Sequence, residues 1–401
     1  MILWFNLLLL HRAYEEQLDN WVHSRNRKKL RSEQDPYERY VRQRRIPRNS
    51  LLSVERSPWR CVYSSADDQA MITLTGFNMA SFHYVCRLFA PAYDGYSPFI
   101  DEEGFIMRKR SNAGRPRFMN AEDCLGLVLA WSRTRGSLMA LQLIFGMSMT
   151  PTAKYLQFAR RIIVKVLLDD PCARIEMPSH EKLEEYRSAI QARHPVLDNV
   201  WGTMDGLKLR IESASNFLTQ SRFYNGWKSD HFITGVLCFA PDGTIPAAFY
   251  NVPGCTHDST VADWGMLYEK LEKVFNETGL KFVIDSAFST ADCNYLIKSS
   301  QDYLTAAAGL EEEEEILADL AIKREATSMR QSAEWGMGTV QASFPRLRDT
   351  FIYEEHGERR ITLTCLFLLY NCRARLVGIN QIRNVYLPNL EEDANLQFVP
   401  T

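Results

Sequence analysis

The 401-residue chain has nine cysteines and eight histidines, yet no CxxC pair and no HxxxH. Without such spacing a structural zinc site has no ligand set, and cysteine usage of this kind fits a reducing compartment. Long apolar runs are scarce too. The opening stretch MILWFNLLLL is about half the length a bilayer crossing needs. It also lacks a basic leader and a small-residue cleavage site. Neither a membrane span nor a secretory signal is expected, and the stretch reads as one face of a short helix continuing into HRAYEEQLDNW. Net charge is also small. The formal sum is −2, so the chain as a whole does not announce a nucleic-acid binder.

The charge that is present is unevenly placed. Between Ser24 and Arg48 ten Lys or Arg face three acids, a local charge of +7. Arg108, Lys109, Arg110, Arg115 and Arg117 form a second basic cluster. Such blocks are either solvated tails or phosphate contacts, and both readings stay open. For the second reading the candidates are Arg25, Arg27, Lys28, Lys29, Arg31, Arg115 and Arg117. They would bind phosphates rather than read bases.

With 46% hydrophobic residues the chain has material for two or three domains. Residues 1–110 read as a basic helical region, with APAYDGYSPFIDEEG as a loop. Residues 111–195 carry three short helices. AEDCLGLVLAW has apolar residues at helical spacing, GSLMALQLIFG closes on Gly146, and SMTPTAKYLQFARRIIVKVLL opens with a capping hydroxyl and a first-turn proline. That order fits a helix-turn-helix-like arrangement, or equally a plain helical bundle packed on the next domain.

Residues 196–382 switch to strand periodicity. WGTMDGLKLRIE alternates, with Asp205, Leu207, Leu209 and Ile211 on one face. HFITGVLCFAPDGTIPAAFYNV is two strands about a Pro-Asp-Gly turn. A helix over DSTVADWGMLYEKLEKVF follows, then KFVID, then an apolar stretch near DYLTAAA and further helices closed by ITLTCLFLLYNCRARLVG. The expected fold is α/β, a mixed five-stranded sheet with helices in ribonuclease H-like order, preceded by the all-α region. Residues 383–401 form a tail.

An aspartate ending an apolar strand, as Asp285 does, is costly to desolvate unless something pairs with it. In this strand order Asp205 and Asp285 meet near the sheet centre, where two anions repel unless a cation joins them. Oxygen donors suit Mg²⁺ or Mn²⁺. Glu334 is the third candidate. It lies one turn before Met337 on the edge of the stripe Met337, Val340, Phe344, with Gly338 leaving room beside it. The run of five glutamates before ILADL does not converge on one point and reads as a solvated helix start. His257 and Asp258 stand at a strand-to-helix junction. Asp258 or Ser259 is placed to cap that helix, and a supporting role behind the acids stays open.

The motifs GTMDGLKL, YNGWKSDHF, FAPDGTIP, NVPGCTHDSTVADWG, VIDSAFS, ATSMRQSAEWGMGTVQASFPRL and LLYNCR, in this order between Leu197 and Gln381, resemble the DDE endonuclease domain of PIF/Harbinger transposases, in its fungal and oomycete version. The resemblance implies a triad of Asp205, Asp285 and Glu334, and two Mg²⁺ ions clamping the attacking and leaving oxygens of a phosphodiester displacement. It implies a DNA substrate, a nuclear location and a Myb-like protein that binds transposon ends; a homo-oligomer is a further expectation. A domesticated DNA- or protein-binding factor that no longer cuts, or a non-transposon nuclease on the same fold, would share these motifs. The chain departs from the pattern after the third acid: it reads Glu-Trp-Gly-Met-Gly, and the next base is Arg346.

Overall fold

A computed structural model describes residues 46–101, 104–109, 116–214, 216–288, 293–299, 313–353 and 355–387. The chain divides into Met1–Leu51 and Leu52–Thr401. Of the first unit the described part holds one 3₁₀ turn, Arg48–Ser50. All the elements named next belong to the second.

Helices come first: α1 (Pro58–Ser65), α2 (Asp68–Thr75) and α3 (Met79–Gly95). Pro58 sits in the first turn of α1, and the Asp67 and Asn78 side chains accept the Ala70 and Ser81 N–H groups at the starts of α2 and α3. The turn-rich stretch that reads as a loop in the sequence instead ends α3 and forms a small hairpin, β1 (Tyr96–Ile100) with β2 (Ile106–Arg108). Cross-strand pairing supplies what local propensity does not.

The three helices expected between 120 and 168 are α4 (Ala121–Arg133), α5 (Met139–Phe145) and α6 (Met149–Leu167). Gly146 ends α5 at φ +64°, as its composition predicts. Buried residues run almost the whole length of α4. Its Gly126 lies so close to α1 that an added Cβ would stand 2.2 Å from the Trp59 ring. The side chains of these helices share one hydrophobic core with the sheet's Leu207, Leu209 and Val283.

After α7 (His180–Arg193) come β3 (Val200–Arg210), α8 (Phe217–Phe223), β4 (Tyr224–Asn225), β5 (Asp230–Phe239) and β6 (Ala248–Pro253). Then follow α9 (Asp258–Trp264), α10 (Leu267–Thr278), β7 (Lys281–Ile284), β8 (Leu296–Lys298), α11 (Glu313–Ser343), α12 (His356–Leu376) and α13 (Gln381–Tyr386). The mixed sheet has six strands rather than five, because the two-residue β4 joins β5 beside β6. β3 lies at the centre, antiparallel to β5 and parallel to β7, which is parallel to β8. This mixed α/β architecture is compatible with a ribonuclease H-like domain. The stretch DYLTAAA lies outside the described residues.

Alternation along the strands sorts the two faces. Leu207, Leu209, Phe239 and Val283 share a cluster with Ala333, Met337 and Val340 of α11 and with the apolar residues of α12. Met204, Val236, Cys238 and Ile284 share another with Val261, Leu267 and Leu271 of α9 and α10. By length and composition α12 and its continuation could cross a bilayer, but most of it is buried in the core here.

Two helices differ from their sequence reading. The single helix expected after His257 is broken between α9 and α10, where Met266 takes φ +50°. Gly265 there passes so near β6 that a Cβ would stand 2.4 Å from that of Phe249. Conversely, the glutamate-rich segment and the helix of Glu334 are one 31-residue helix, α11. The glycine that explains its approach to the sheet is Gly336, whose added Cβ would stand 2.7 Å from the Phe239 ring. Gly338 has nothing within 4 Å, so it does leave open space, but it mediates no close contact.

Candidate active site

Asp205 lies within β3, and Asp285 is the first residue beyond β7. The parallel register pairs Thr203 with Val283 and Met204 with Ile284, so the next step sets Asp205 beside Asp285. Alternation puts both on the α11 face. Each carboxylate accepts the N–H of the residue after it at 2.7 Å: Gly206 for Asp205, Ser286 for Asp285. These bonds hold one oxygen of each in the backbone frame.

Burial pushes the Asp205 carboxyl up to about 6. The Gly206 N–H holds it down, the Asp285 charge pushes it up, Arg330 draws it down and Asp258 adds a further upward push. A carboxylate pair in this state is short of positive charge.

The nearby cation is Arg330 of α11. Its Nη2 stands 2.7 Å from Glu334 Oε1, and its Nε 3.9 Å from Asp285 Oδ1. Arg330 and Glu334 are i,i+4 neighbours on one helix. That spacing is legible in the sequence and is the signal by which Arg330 could have been found. The side chain of Glu334 is 53% exposed against 20% for Arg330, so it has room to turn.

His257 and Asp258 lie elsewhere. The residue that caps α9 is His257, whose Nδ1 accepts the Ser259 N–H at 3.4 Å; neither Asp258 nor Ser259 does so. Asp258 turns back to the sheet, where its Oδ1 accepts from the Thr234 hydroxyl at 3.3 Å and its Oδ2 pairs with Lys208 at 3.7 Å. A Cβ on Gly206 would stand 2.4 Å from Asp258 Oδ2, so the glycine of the MDG motif makes room for this carboxylate. Gly206 and Lys208 face away from Asp205, which places Asp258 across the sheet from the acidic pair.

Residues 204–371 match the DDE superfamily endonuclease family. The matched segment contains Asp205, Asp285 and Glu334 and supports a nuclease or transposase function in general. No curated protein and no solved structure matches the chain.

DDE endonucleases generally use divalent metals. Among the described residues no three His, Cys, Asp or Glu side chains are grouped closely enough to hold an ion. The donors of the DDE segment nevertheless suit one. Asp205 and Asp285 present hard oxygens side by side, and burial, with the charge of Asp285 beside it, raises the Asp205 carboxyl, a cost that a bound cation would relieve. Glu334 would complete the set by leaving Arg330.

Of the basic residues singled out above, Arg25, Arg27, Lys28, Lys29, Arg31 and Arg115 lie outside the described residues. Arg117 is not a solvated cation. Its guanidinium stacks 4.1 Å from the Tyr93 ring centroid, donates to the Tyr96 carbonyl, and has Nη1 buried. That buried Nη1 has no hydrogen-bond partner among the described residues, while the rest of the fork ties the end of α3 to the start of β1.

Proposed function

We propose that the chain is a metal-dependent DNA endonuclease and strand-transferase, a PIF/Harbinger-type transposase acting in the nucleus at transposon ends. The observation that carries this reading is the placement of Asp205 beside Asp285 on adjacent parallel strands, inside the segment that matches the DDE family. In the proposed mechanism Asp205, Asp285 and Glu334 would hold the metal. Bound divalent ions would supply Lewis-acid charge at the scissile phosphate and a more acidic attacking water or 3′-hydroxyl. The Gly206 and Ser286 N–H groups keep the two aspartates oriented by holding one oxygen of each. Glu334 would join them by giving up its bond to Arg330, which would leave that guanidinium free to face a polyanionic substrate. A Myb-like partner would bring the transposon ends to this site, and two copies of the chain would act on the paired ends.

The test is cleavage of duplexes carrying the element's terminal repeats, with Mg²⁺ or Mn²⁺, in the presence and absence of the Myb-like protein. Metal-dependent nicks at the repeat boundary that leave 3′-hydroxyl ends are expected. A chain that binds such duplexes and never cuts them, with either metal and with the partner present, overturns the reading in favour of a domesticated binding factor.

A further inference from the structure

At the far end of β3 from Asp205 the structure has a second site of opposite charge. The 3₁₀ turn Pro345–Arg348 and the chain after it are stitched to that strand end. The Phe351 N–H donates to the Arg210 carbonyl at 2.9 Å and the Glu212 N–H to the Phe351 carbonyl at 2.8 Å. Between this segment, the end of α4, α6 and the start of α12 lies a cleft of about 500 Å³. It is lined by Arg135, Arg160, Arg210, Arg346, Arg348 and Arg359, against the three acids Asp349, Glu355 and Glu358.

The arginines fall into two sets. Arg160, Arg346 and Arg359 are turned inward and fixed. Arg346 donates to the Trp131 and Gly136 carbonyls and to Asp349, Arg359 to the Ile352 and Tyr353 carbonyls, and Arg160 pairs with Glu358 at 3.2 Å. Arg160 and Arg346 lie 5.0 and 5.1 Å from the Trp131 ring. The other set stands outward on three separate elements. The side chains of Arg135 and Arg210 are 58% and 68% exposed, and Arg348 is exposed on the turn. Arg135 pairs with Asp349 at 3.3 Å and donates to the Arg348 carbonyl at 3.2 Å, and Arg210 pairs with Asp230 at 3.6 Å. A fixed cationic floor with an exposed rim of planar forks suits an anion with several acceptor oxygens.

We propose that this cleft binds the phosphodiester backbone of duplex DNA, away from the acids that would cut it. The proposal rests on the nuclease reading for its choice of polyanion. Five residues of strand separate Asp205 from Arg210, roughly 17 Å at the rise of a β-strand. At about 3.4 Å per nucleotide step, the cleft would hold phosphates some five base pairs from the scissile bond.

The experiment measures affinity for a fluorescent duplex by anisotropy across a salt series. Arg135→Gln/Arg210→Gln/Arg348→Gln should bind on the order of a hundredfold more weakly at 0.1 M salt, with the slope of log K against log salt flattened by about 0.9 per lost contact. Lys270→Gln/Lys273→Gln on α10, exposed and remote from the cleft, should bind as wild type. Wild-type protein provides an arm free of folding effects. Duplex should protect Arg135, Arg210 and Arg348 from phenylglyoxal, while inorganic phosphate at equal phosphate concentration should not. Unchanged affinity and slope in the triple variant overturns the proposal, and so does equal protection by inorganic phosphate, which would mark a small-anion site. The nuclease reading fails separately. Should wild type never cut while the triple variant still loses DNA affinity, the cleft stands and the nuclease reading falls.

Discussion

Asp205 and Asp285 stand side by side, one inside β3 and one just past the end of β7, each with an oxygen tied to the following backbone N–H. Two like charges held this way raise the cost of the folded state unless a cation joins them. Arg330, 3.9 Å from Asp285, is a partial answer. The pairing dictates how the site responds to pH, to mutation and to metal.

Take pH first. The Asp205 carboxyl is raised from 3.8 to about 6, so between these values the folded chain holds a proton that the unfolded chain releases. This group therefore lowers stability as pH rises from about 4 to about 6, and the full penalty persists above that. Without metal, Asp205→Asn should be more stable than wild type at pH 7, by on the order of 1 kcal/mol after solvent screening is allowed for, and the gap should close near pH 4. Denaturant melts at both pH values check this; a variant less stable than wild type at pH 7 contradicts it.

Arg330 and a metal ion compete for the same carboxylates. Arg330→Gln should lower the melting temperature of the metal-free protein by a few degrees, roughly the effect of 1 kcal/mol. The same change should tighten Mn²⁺ binding severalfold in calorimetry, because a competing charge is gone. Weaker Mn²⁺ binding would mean that Arg330 organises the acids instead.

The two glycines of α11 should respond oppositely to alanine. At Gly336 a Cβ meets the Phe239 ring at 2.7 Å, so Gly336→Ala should cost about 1–3 kcal/mol. Gly338 has open space around it, and Gly338→Ala should gain up to about 1 kcal/mol of helix propensity. Chemical denaturation of both variants decides; equal shifts would refute the packing assigned to α11.

Much of the sheet was legible because its cues are local. The alternation of Leu207 and Leu209, the apolar run ending at Asp285 and the Pro241-Asp242-Gly243 turn each follow from a few neighbouring residues. What escaped depends on partners distant in sequence. The hairpin of β1 and β2 forms from turn-rich residues because each strand completes the other. The break at Gly265 answers to Phe249, and the close approach at Gly336 to Phe239. Asp258 has the composition of a helix cap, and the space left by Gly206 and the charge of Lys208 draw it to the sheet. Arg117 reads as part of a basic cluster until the ring of Tyr93 is seen beneath it.

The most direct test of the account is Mn²⁺-dependent nicking of cognate-end DNA by wild type, Asp205→Asn, Asp285→Asn and Glu334→Gln, each first shown to fold and to bind the same duplex. The account predicts that wild type nicks, that each variant loses at least about a thousandfold in rate, and that duplex affinity stays near wild type, because the acids hold metal and not DNA. Wild-type nicking rates in Asp205→Asn or Asp285→Asn would contradict it.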